Sequence, residues 1–546
     1  MLGSGFISVR TVRRSLLCSM AGVLALTAFI ASTGCAGRSG GSGLLFDPPR
    51  EAVLGAARIK TSPELLAAHA AIRRELASAP LRDASVSLLV VGMDDGADWA
   101  SVAADVPRRP ASVAKLFTVA AALENWAADY RFATAIHLLG EIEHGTLDGA
   151  LVVEGRGAPS LASAELASAI IAVLARAGVE RIHGELIVDD GAGDAGFPPA
   201  WEVGDLAEPW AAPAGTLALD DAVVTVELRP APLAGQPALV QWLDADGQPW
   251  SDAADAPELP GLRDLVQVDV GTIAPRGPAR LRHEVLAGAA GLRPRLVGDI
   301  PTDARPRRVE VAAHHTGLHA GALLARQLAR RGMPVAGPLV VTSLLPPHEQ
   351  QEVRARWAER EPEALHHSPT LAEIIRPILK DSRNQMAEML LLALGTKAGA
   401  APDGETLRMR GLREVDRALR ASAAGAVPAR MVDGSGLSWR NLATARQVVE
   451  LLRHVHSTPH ARLVYEALPV AGVDGTMQHR WRSGRLLGNL RAKTGYLPHT
   501  RSFAGTFTTA GGTRLAFALM VENYTAPTGD INAAAERMLA ALAEMP

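Results

Sequence analysis

A serine and a lysine separated by two residues form the first candidate site in this sequence. Ser112 and Lys115 follow Pro110, and the apolar run after them predicts a helix that extends to about Trp126. Residues three apart lie on one helix face, and the free N–H groups at a helix N-terminus favour developing negative charge. A neutral Lys115 in this position can accept the hydroxyl proton of Ser112 and activate it as a nucleophile. The alternative is a capped helix with a solvated lysine, because this spacing is common by chance.

Two polar residues, Ser382 and Asn384, form the second candidate site. They lie in the segment KDSRNQMAEMLL, inside a region, Leu371–Leu394, whose apolar spacing is typical of helix. The hydroxyl of Ser382 can relay a proton, and the amide of Asn384 can orient a lysine or a substrate carbonyl. Both residue types also cap helices, which is the alternative explanation for the cluster.

Lys493, Thr494 and Gly495 form the third candidate site. The apolar residues before them and the hairpin pattern after them predict a strand. A lysine amine and a threonine hydroxyl can bind a substrate carboxylate, while a glycine lets a ligand backbone approach closely. A strand end of this composition is again common by chance, so each motif alone is weak evidence.

The three motifs occur together in the order that class A β-lactamases and penicillin-binding proteins share. The stretch between Ser112 and Ser382 is too long for a minimal β-lactamase. The chain instead resembles the class C low-molecular-mass penicillin-binding proteins, the DacB-type D-alanyl-D-alanine carboxypeptidase/endopeptidases. The segments PASVAKLFT, ADYRFAT, VDGSGLS and LPVAGVDGTM add to this resemblance, which extends over nearly all the chain from about residue 60.

The resemblance implies a serine-type enzyme that acts on peptidoglycan stem peptides and is inhibited by β-lactam antibiotics. In this interpretation Ser112 attacks the peptide carbonyl and Lys115 is its general base. The backbone N–H groups of Ser112 and Tyr496 then hold the oxyanion. A nearby Lys493 would disfavour charge on Lys115, which helps Lys115 to act as a base.

The remaining motif residues take supporting roles by the same resemblance. Ser382 carries a proton to the leaving amine, and Asn384 orients Lys115 or the substrate. Lys493 and Thr494, beside Gly495, bind the terminal carboxylate of the peptide.

Two positions depart from the family pattern. The residue after Lys-Thr-Gly is usually a small hydroxyl residue, and here it is Tyr496. In the middle of the chain Ala158 precedes Pro159, where the family pattern leads us to expect an aspartate. The first change removes a hydroxyl that helps to bind the substrate carboxylate, whereas neither change removes the nucleophile or its base.

The order of strand and helix patterns predicts an α+β fold. We expect a β-lactamase/transpeptidase-like domain, an antiparallel sheet with flanking helices, from residues 61–135 together with 345–546. Residues 136–344 have short β-like runs separated by Pro and Gly, and they predict a β-rich insertion of one or two modules. A hairpin with a turn at Gly511–Gly512 and a final helix over 530–543 complete the chain.

The amino terminus has the features of an export signal. Three arginines precede an apolar run, Leu16–Ile30, and small residues lead to Cys35. We therefore predict a signal peptide over 1–35, with a lipobox that would acylate Cys35, and a flexible tether over 36–60. The alternative is ordinary cleavage near Ala36. The expected location is the periplasm or cell envelope, with membrane contact only through the lipid anchor.

Composition excludes several other classes. Lys and Arg number 55 against 58 Asp and Glu, and this net charge of −3 argues against a nucleic-acid partner. The two cysteines, Cys18 and Cys35, both precede the predicted mature domain, so we expect neither a disulfide framework there nor a thiolate metal site. His315 and His319 lack the glutamate of a zinc peptidase motif. We predict no metal and no cofactor.

Two other functions fit the same motifs. One is a β-lactamase or esterase on the same fold, which rapid turnover of nitrocefin would reveal. The other is a catalytically weak envelope protein that binds cell wall, for which Tyr496 is the sequence hint.

Overall fold

The computed structural model describes residues 62–191, 196–250, 262–275, 277–288, 291–399, 404–422 and 429–546. The predicted signal peptide, Cys35 and the tether lie outside these residues. Strands β1 to β17 are, in chain order, Ser85–Gly92, Asp98–Val102, Arg131–Glu143, Thr146–Gly155, Arg181–Ile182, Glu185–Asp189, Val223–Arg229, Leu239–Leu243, Gln267–Ile273, Arg280–Gly288, Gly291–Pro301, Arg307–Ala312, Leu339–Val341, Ala364–Thr370, Arg491–Leu497, Thr500–Thr508 and Arg514–Glu522. Helices α1 to α12 are Pro63–Leu76, Lys115–Asn125, Ser163–Arg176, Leu262–Leu265, Thr316–Arg330, Pro347–Ala355, Leu371–Lys380, Asn384–Lys397, Leu407–Ala421, Ala445–His456, Ala461–Ala467 and Thr528–Ala543. Among the described helices, none combines the length and the apolar character that a bilayer crossing requires.

A five-stranded antiparallel sheet joins the two ends of the described chain. Its strand order is β15-β16-β17-β1-β2, so β1 lies between β17 and β2. Ser85 of β1 pairs with Glu522 of β17, and Gly92 pairs with Leu515. Strands β16 and β17 form the predicted hairpin, and Gly512 in its turn has a φ of 86°, a region that favours glycine. The predicted antiparallel sheet is confirmed.

Helices cover both faces of this sheet because the side chains of a strand alternate between its faces. Leu88 and Val90 of β1 belong to a buried cluster that includes residues of α1 and α12. Leu89 and Val91 belong to another cluster, which includes residues of α2, α8 and α10. Burial of each such side chain stabilises the fold by roughly 1.5–3 kcal/mol, so β1 is a central element of the core.

Three further sheets form in the middle of the chain. One has six strands, in the order β13-β6-β4-β3-β14 with β5 paired to β4, and the other two have three strands each, β10-β11-β9 and β12-β7-β8. Helices α3 and α5 also contact each other in this region. The predicted β-rich insertion did not include these helices. Strand β14 pairs with β3, so the six-stranded sheet extends past residue 344. The domain boundaries at 135 and 345 stay predictions.

Candidate active site

Ser112 lies on a short 3₁₀ turn, Ala111–Ala114, that leads directly into α2. Ala111 has a φ of 47°, in the left-handed region that non-glycine residues rarely adopt. The carbonyl of Pro110 accepts a hydrogen bond of 2.5 Å from Ser502 Oγ on β16. The turn that presents Ser112 is therefore attached to the five-stranded sheet.

Lys115, the first residue of α2, is fully buried behind Ser112. Its Nζ lies 2.9 Å from Ser112 Oγ, and it also donates to Asn384 Oδ1 at 2.6 Å and to the carbonyl of Ser435 at 2.7 Å. Burial lowers the pKa of Lys115 to about 7, against the opposing effect of two nearby carboxylates. A large share of neutral amine is thus present near neutral pH, and that form can accept the proton of Ser112.

The helical segment predicted over Leu371–Leu394 is two helices, α7 and α8, and the break between them forms part of the site. Asp381 caps the end of α7, and Asn384 begins α8. Between them Ser382 has a φ of 65°, which a continuing helix cannot contain. Short polar side chains that compete for backbone hydrogen bonds favour such a break.

Asn384 connects Lys115 to the middle of the chain. Its Oδ1 accepts the hydrogen bond from Lys115, while its Nδ2 donates to the carbonyl of Trp210 at 2.7 Å. Both ends of the amide are therefore occupied, and its orientation is set by one donor and one acceptor.

Lys493 on β15 is the second fully buried lysine of the site. Its Nζ donates to Ser382 Oγ and to the carbonyl of Thr494, each at 2.8 Å. Burial lowers the pKa of Lys493 well below its ordinary value, and the charges of Lys115 and Arg501 lower it further. At Lys115, by contrast, burial is the largest cause of the lowered pKa, rather than the predicted effect of Lys493.

Gly495 and Tyr496 follow Lys493 and Thr494 on the edge strand β15. A Cβ atom on Gly495 would lie 2.1 Å from Ser502 Oγ and 2.7 Å from the carbonyl oxygen of Pro110. A glycine is therefore required at this position because the Ser112 turn packs closely against β15. The sequence alone predicts a different reason, the close approach of a ligand backbone. Tyr496 is 56% exposed.

A buried loop, residues 433–438, completes the surroundings of Lys115. The three sequence motifs do not include this loop. The carbonyl of Ser435 accepts from Lys115, while two backbone N–H groups of the loop donate to Glu388 Oε1 at 2.8 and 2.9 Å. Glu388 also pairs with Arg408 at 2.6 Å. The sequence signals for this arrangement are the VDGSGLS segment and a single carboxylate inside the apolar run of α8.

A cavity of about 420 Å³ opens beside this cluster. Its lining residues include Ser112, Ser382, Thr494, Tyr496, Arg480 and Arg501. The structure brings the three motifs together, since hydrogen bonds connect Ser112, Lys115 and Asn384, and separately Ser382 and Lys493. The two arginines belong to none of the motifs, and their positions next to the cavity emerge only from the fold.

An antiparallel sheet with flanking helices and a serine hydroxyl beside a buried lysine together define a serine-type acyl-transfer enzyme of the β-lactamase/transpeptidase-like class. The profile of the D-Ala-D-Ala carboxypeptidase 3 (S13) family matches residues 68–543. The chain belongs to this family, and it is a serine-type D-Ala-D-Ala carboxypeptidase. The family and the fold class inferred from the motifs are confirmed.

Similar proteins carry names that agree with this family. The chain is 32% identical over 451 residues to a D-alanyl-D-alanine carboxypeptidase of Actinomadura sp. strain R39, covering 77% of this chain and 74% of that protein. It is 28% identical over 437 residues to D-alanyl-D-alanine carboxypeptidase DacB of Haemophilus influenzae, covering 78% and 82%. The crystal structure of penicillin binding protein 4 (dacB) from Haemophilus influenzae matches with a TM-score of 0.71 at 23% identity, over 86% of this chain and 98% of that one, and shows a shared fold. The same protein has been solved in complex with a β-lactam.

Proposed function

We propose that Ser112 is the nucleophile and Lys115 the general base of acyl transfer from peptidoglycan stem peptides. The observation that carries this assignment is the 2.9 Å contact between Lys115 Nζ and Ser112 Oγ, made by a lysine whose pKa is about 7. Lys115 has no carboxylate as a direct hydrogen-bond partner in the described chain, since its three acceptors are neutral oxygens. The neutral amine is therefore not disfavoured by an ion pair.

The reaction proceeds in two halves. Lys115 Nζ takes the hydroxyl proton while Ser112 Oγ attacks the carbonyl carbon, and the backbone N–H groups of Ser112 and Tyr496 hold the oxyanion. The C–N bond then breaks, and the proton taken by Lys115 passes through Ser382 to the leaving amine. In the second half water attacks the ester, Lys115 again accepts a proton, and Ser112 regains its hydrogen as the acid product leaves.

The same attack serves a terminal D-alanine or a cross-linking amide, so we infer carboxypeptidase and endopeptidase activity at one site. β-Lactams present a strained amide to the same nucleophile and acylate Ser112. The complex of penicillin binding protein 4 with a β-lactam, on the same fold, supports this inference.

We further infer that the chain works in the bacterial cell envelope. Stem peptides lie outside the cytoplasm, and the basic and apolar residues before Cys35 have the pattern of an export signal. Acylation of Cys35 would anchor the enzyme to a membrane surface. Replacing Cys35 with alanine should then release the protein from the membrane fraction without changing its activity, whereas unchanged membrane association would contradict the anchor.

Mass spectrometry of the purified chain after incubation with benzylpenicillin tests the nucleophile. We expect one adduct on the tryptic peptide that contains Ser112, and none in a Ser112→Ala variant. Ser168→Ala is the matched control, because Ser168 is an exposed serine of α3 whose hydroxyl donates to the carbonyl of Ala164. An adduct that persists in Ser112→Ala would contradict the assignment.

Purified muropeptides then separate the two activities, since release of D-alanine reports carboxypeptidase action and cleavage of cross-links reports endopeptidase action. Rapid turnover of nitrocefin in the same preparation would instead assign a β-lactamase to this site.

A further inference from the structure

Arg501 of β16 is a buried cation at the edge of the cavity that holds Ser112. Only 3% of the residue is exposed. Its Nε donates to Asn532 Oδ1 at 2.8 Å and its Nη1 donates to the carbonyl of Gly495 at 2.9 Å. Its Nη2 is also buried but has no hydrogen-bond acceptor within the described chain. A buried charged donor without an acceptor is unfavourable, so this nitrogen indicates a missing anionic partner.

Among the residues that the structure describes, no carboxylate is one of the charges that act on Arg501. The charge that acts most strongly on it is that of Arg480, a half-buried arginine that lines the same cavity. Burial and then Arg480 lower the pKa of Arg501 to about 9. The other groups that act on it are the phenols of Tyr524 and Tyr496, and no acidic residue of the described chain is among them. Two cations therefore face one cavity, which favours an anion there.

The position of Arg501 relative to the reacting serine is set by the sheet. Arg501 lies opposite Tyr496 in the β15–β16 ladder, and its Nη1 holds the carbonyl of Gly495, the residue before the proposed oxyanion donor. Ser112 and Arg501 line the same cavity. A peptide whose scissile carbonyl lies at Ser112 extends its leaving residue into this cavity, where that residue's α-carboxylate can meet the guanidinium.

We propose that Arg501, with Arg480 beside it, binds the α-carboxylate of the residue that leaves, a proposal that rests on the acyl-transfer function argued above. The ligand class is a D-amino acid residue with a free carboxylate next to the scissile amide. A guanidinium is suited to this task because it donates two parallel hydrogen bonds to a carboxylate. This arginine pair supplies the positive contact at a site where Tyr496 replaces the small hydroxyl residue.

Equilibrium binding in a Ser112→Ala background tests the proposal without requiring turnover. The probes are diacetyl-L-lysyl-D-alanyl-D-alanine and the same peptide with a C-terminal carboxamide, each titrated by calorimetry. We expect the free carboxylate to bind on the order of 10- to 100-fold more tightly than the carboxamide, as a charge-assisted contact implies. Adding Arg501→Gln should remove most of this preference and leave carboxamide binding unchanged.

Two further variants keep the result interpretable. Arg326→Gln removes another buried arginine, one that lies on α5 and stacks on Trp250, and it should keep the full preference for the carboxylate. Arg501→Lys retains the positive charge but lacks the planar guanidinium, so it should keep an intermediate preference for the carboxylate. If Arg501→Gln does not fold, the result with Arg501→Lys tests the proposal in its place.

An unchanged preference in either Arg501 variant, or no preference in the Ser112→Ala parent, would overturn the carboxylate assignment. Neither result would bear on the nucleophile, because the benzylpenicillin adduct at Ser112 is measured separately.

Discussion

The buried carboxylate of Glu388 accepts a hydrogen bond of 2.8 Å from the backbone N–H of Ser435. The carbonyl of Ser435 in turn accepts from Lys115, so the carboxylate positions the base through one peptide unit. No direct hydrogen bond joins Glu388 to Lys115 within the part of the chain that the structure describes. Arg408 pairs with Glu388 at 2.6 Å. Burial lowers the pKa of Lys115 to about 7, against the opposing charges of Asp433 and Glu388.

Lys115 makes acylation depend on pH in a defined direction. Its pKa in the folded protein lies below the ordinary value of 10.5, at about 7, so the neutral amine accumulates as pH rises through 7. We expect the rate of acylation by a fluorescent penicillin to rise with pH and level off above an apparent pKa near 7, measured by stopped flow. Lys115→Arg stays protonated and should lose on the order of 10²- to 10⁴-fold in rate. A rate that falls as pH rises through 7 would exclude Lys115 as the base.

Asn384 allows the pKa of that base to be shifted. Asn384→Asp places a negative charge 2.6 Å from Lys115 Nζ, which favours the protonated amine. The rising limb of the pH–rate profile should therefore move to higher pH by about 1–3 units. Asn384→Ala is the control, because it also loses the bond to Trp210 but adds no charge, and its profile should not move upward. Equal profiles for the two variants would refute direct contact between Asn384 and Lys115.

The Glu388–Arg408 pair should contribute strongly to stability. Glu388→Gln leaves Arg408 buried without its counter-charge, and we expect the free energy of unfolding to fall by about 3–5 kcal/mol in urea titration. Arg420→Gln breaks an exposed pair with Asp416 and should change it by less than about 1 kcal/mol. Combining Glu388→Gln with Arg408→Leu should recover part of the loss. A single Glu388→Gln variant as stable as the Arg420→Gln control would show that the charge is not needed.

Gly495 tests the packing of the Ser112 turn on β15. Gly495→Ala places a methyl group against Ser502 Oγ and the Pro110 carbonyl, and we expect a loss of about 1–3 kcal/mol in the free energy of unfolding and slower acylation. Ser502→Ala added to this variant removes the closest contact and should restore part of both. Gly204→Ala has open space around its Cβ and should change neither quantity. Wild-type acylation by Gly495→Ala would contradict this packing argument.

Much of the fold follows from local pattern, because strand and helix periodicity depend on neighbours in the chain. Ser62 followed by Pro63 is a typical local signal for a helix start, and the Ser62 side chain accepts a hydrogen bond from the N–H of Leu65 at the beginning of α1. The sequence predicts secondary structure less well where the direction of the chain changes over a few residues. The left-handed Ser382 that separates α7 from α8 interrupts a continuous apolar pattern, so the pattern alone indicates helix throughout.

The sequence by itself determined the chemical groups of the candidate site, their order along the chain and the family to which the chain belongs. These depend on residue types at short spacing, which are readable without coordinates. Only the tertiary structure decided the pKa of Lys115, the support of its position by Glu388 and Ser435, and the free donor of Arg501 beside the cavity. Each of these depends on burial and on contacts between segments far apart in sequence, and both arise only when the chain is packed.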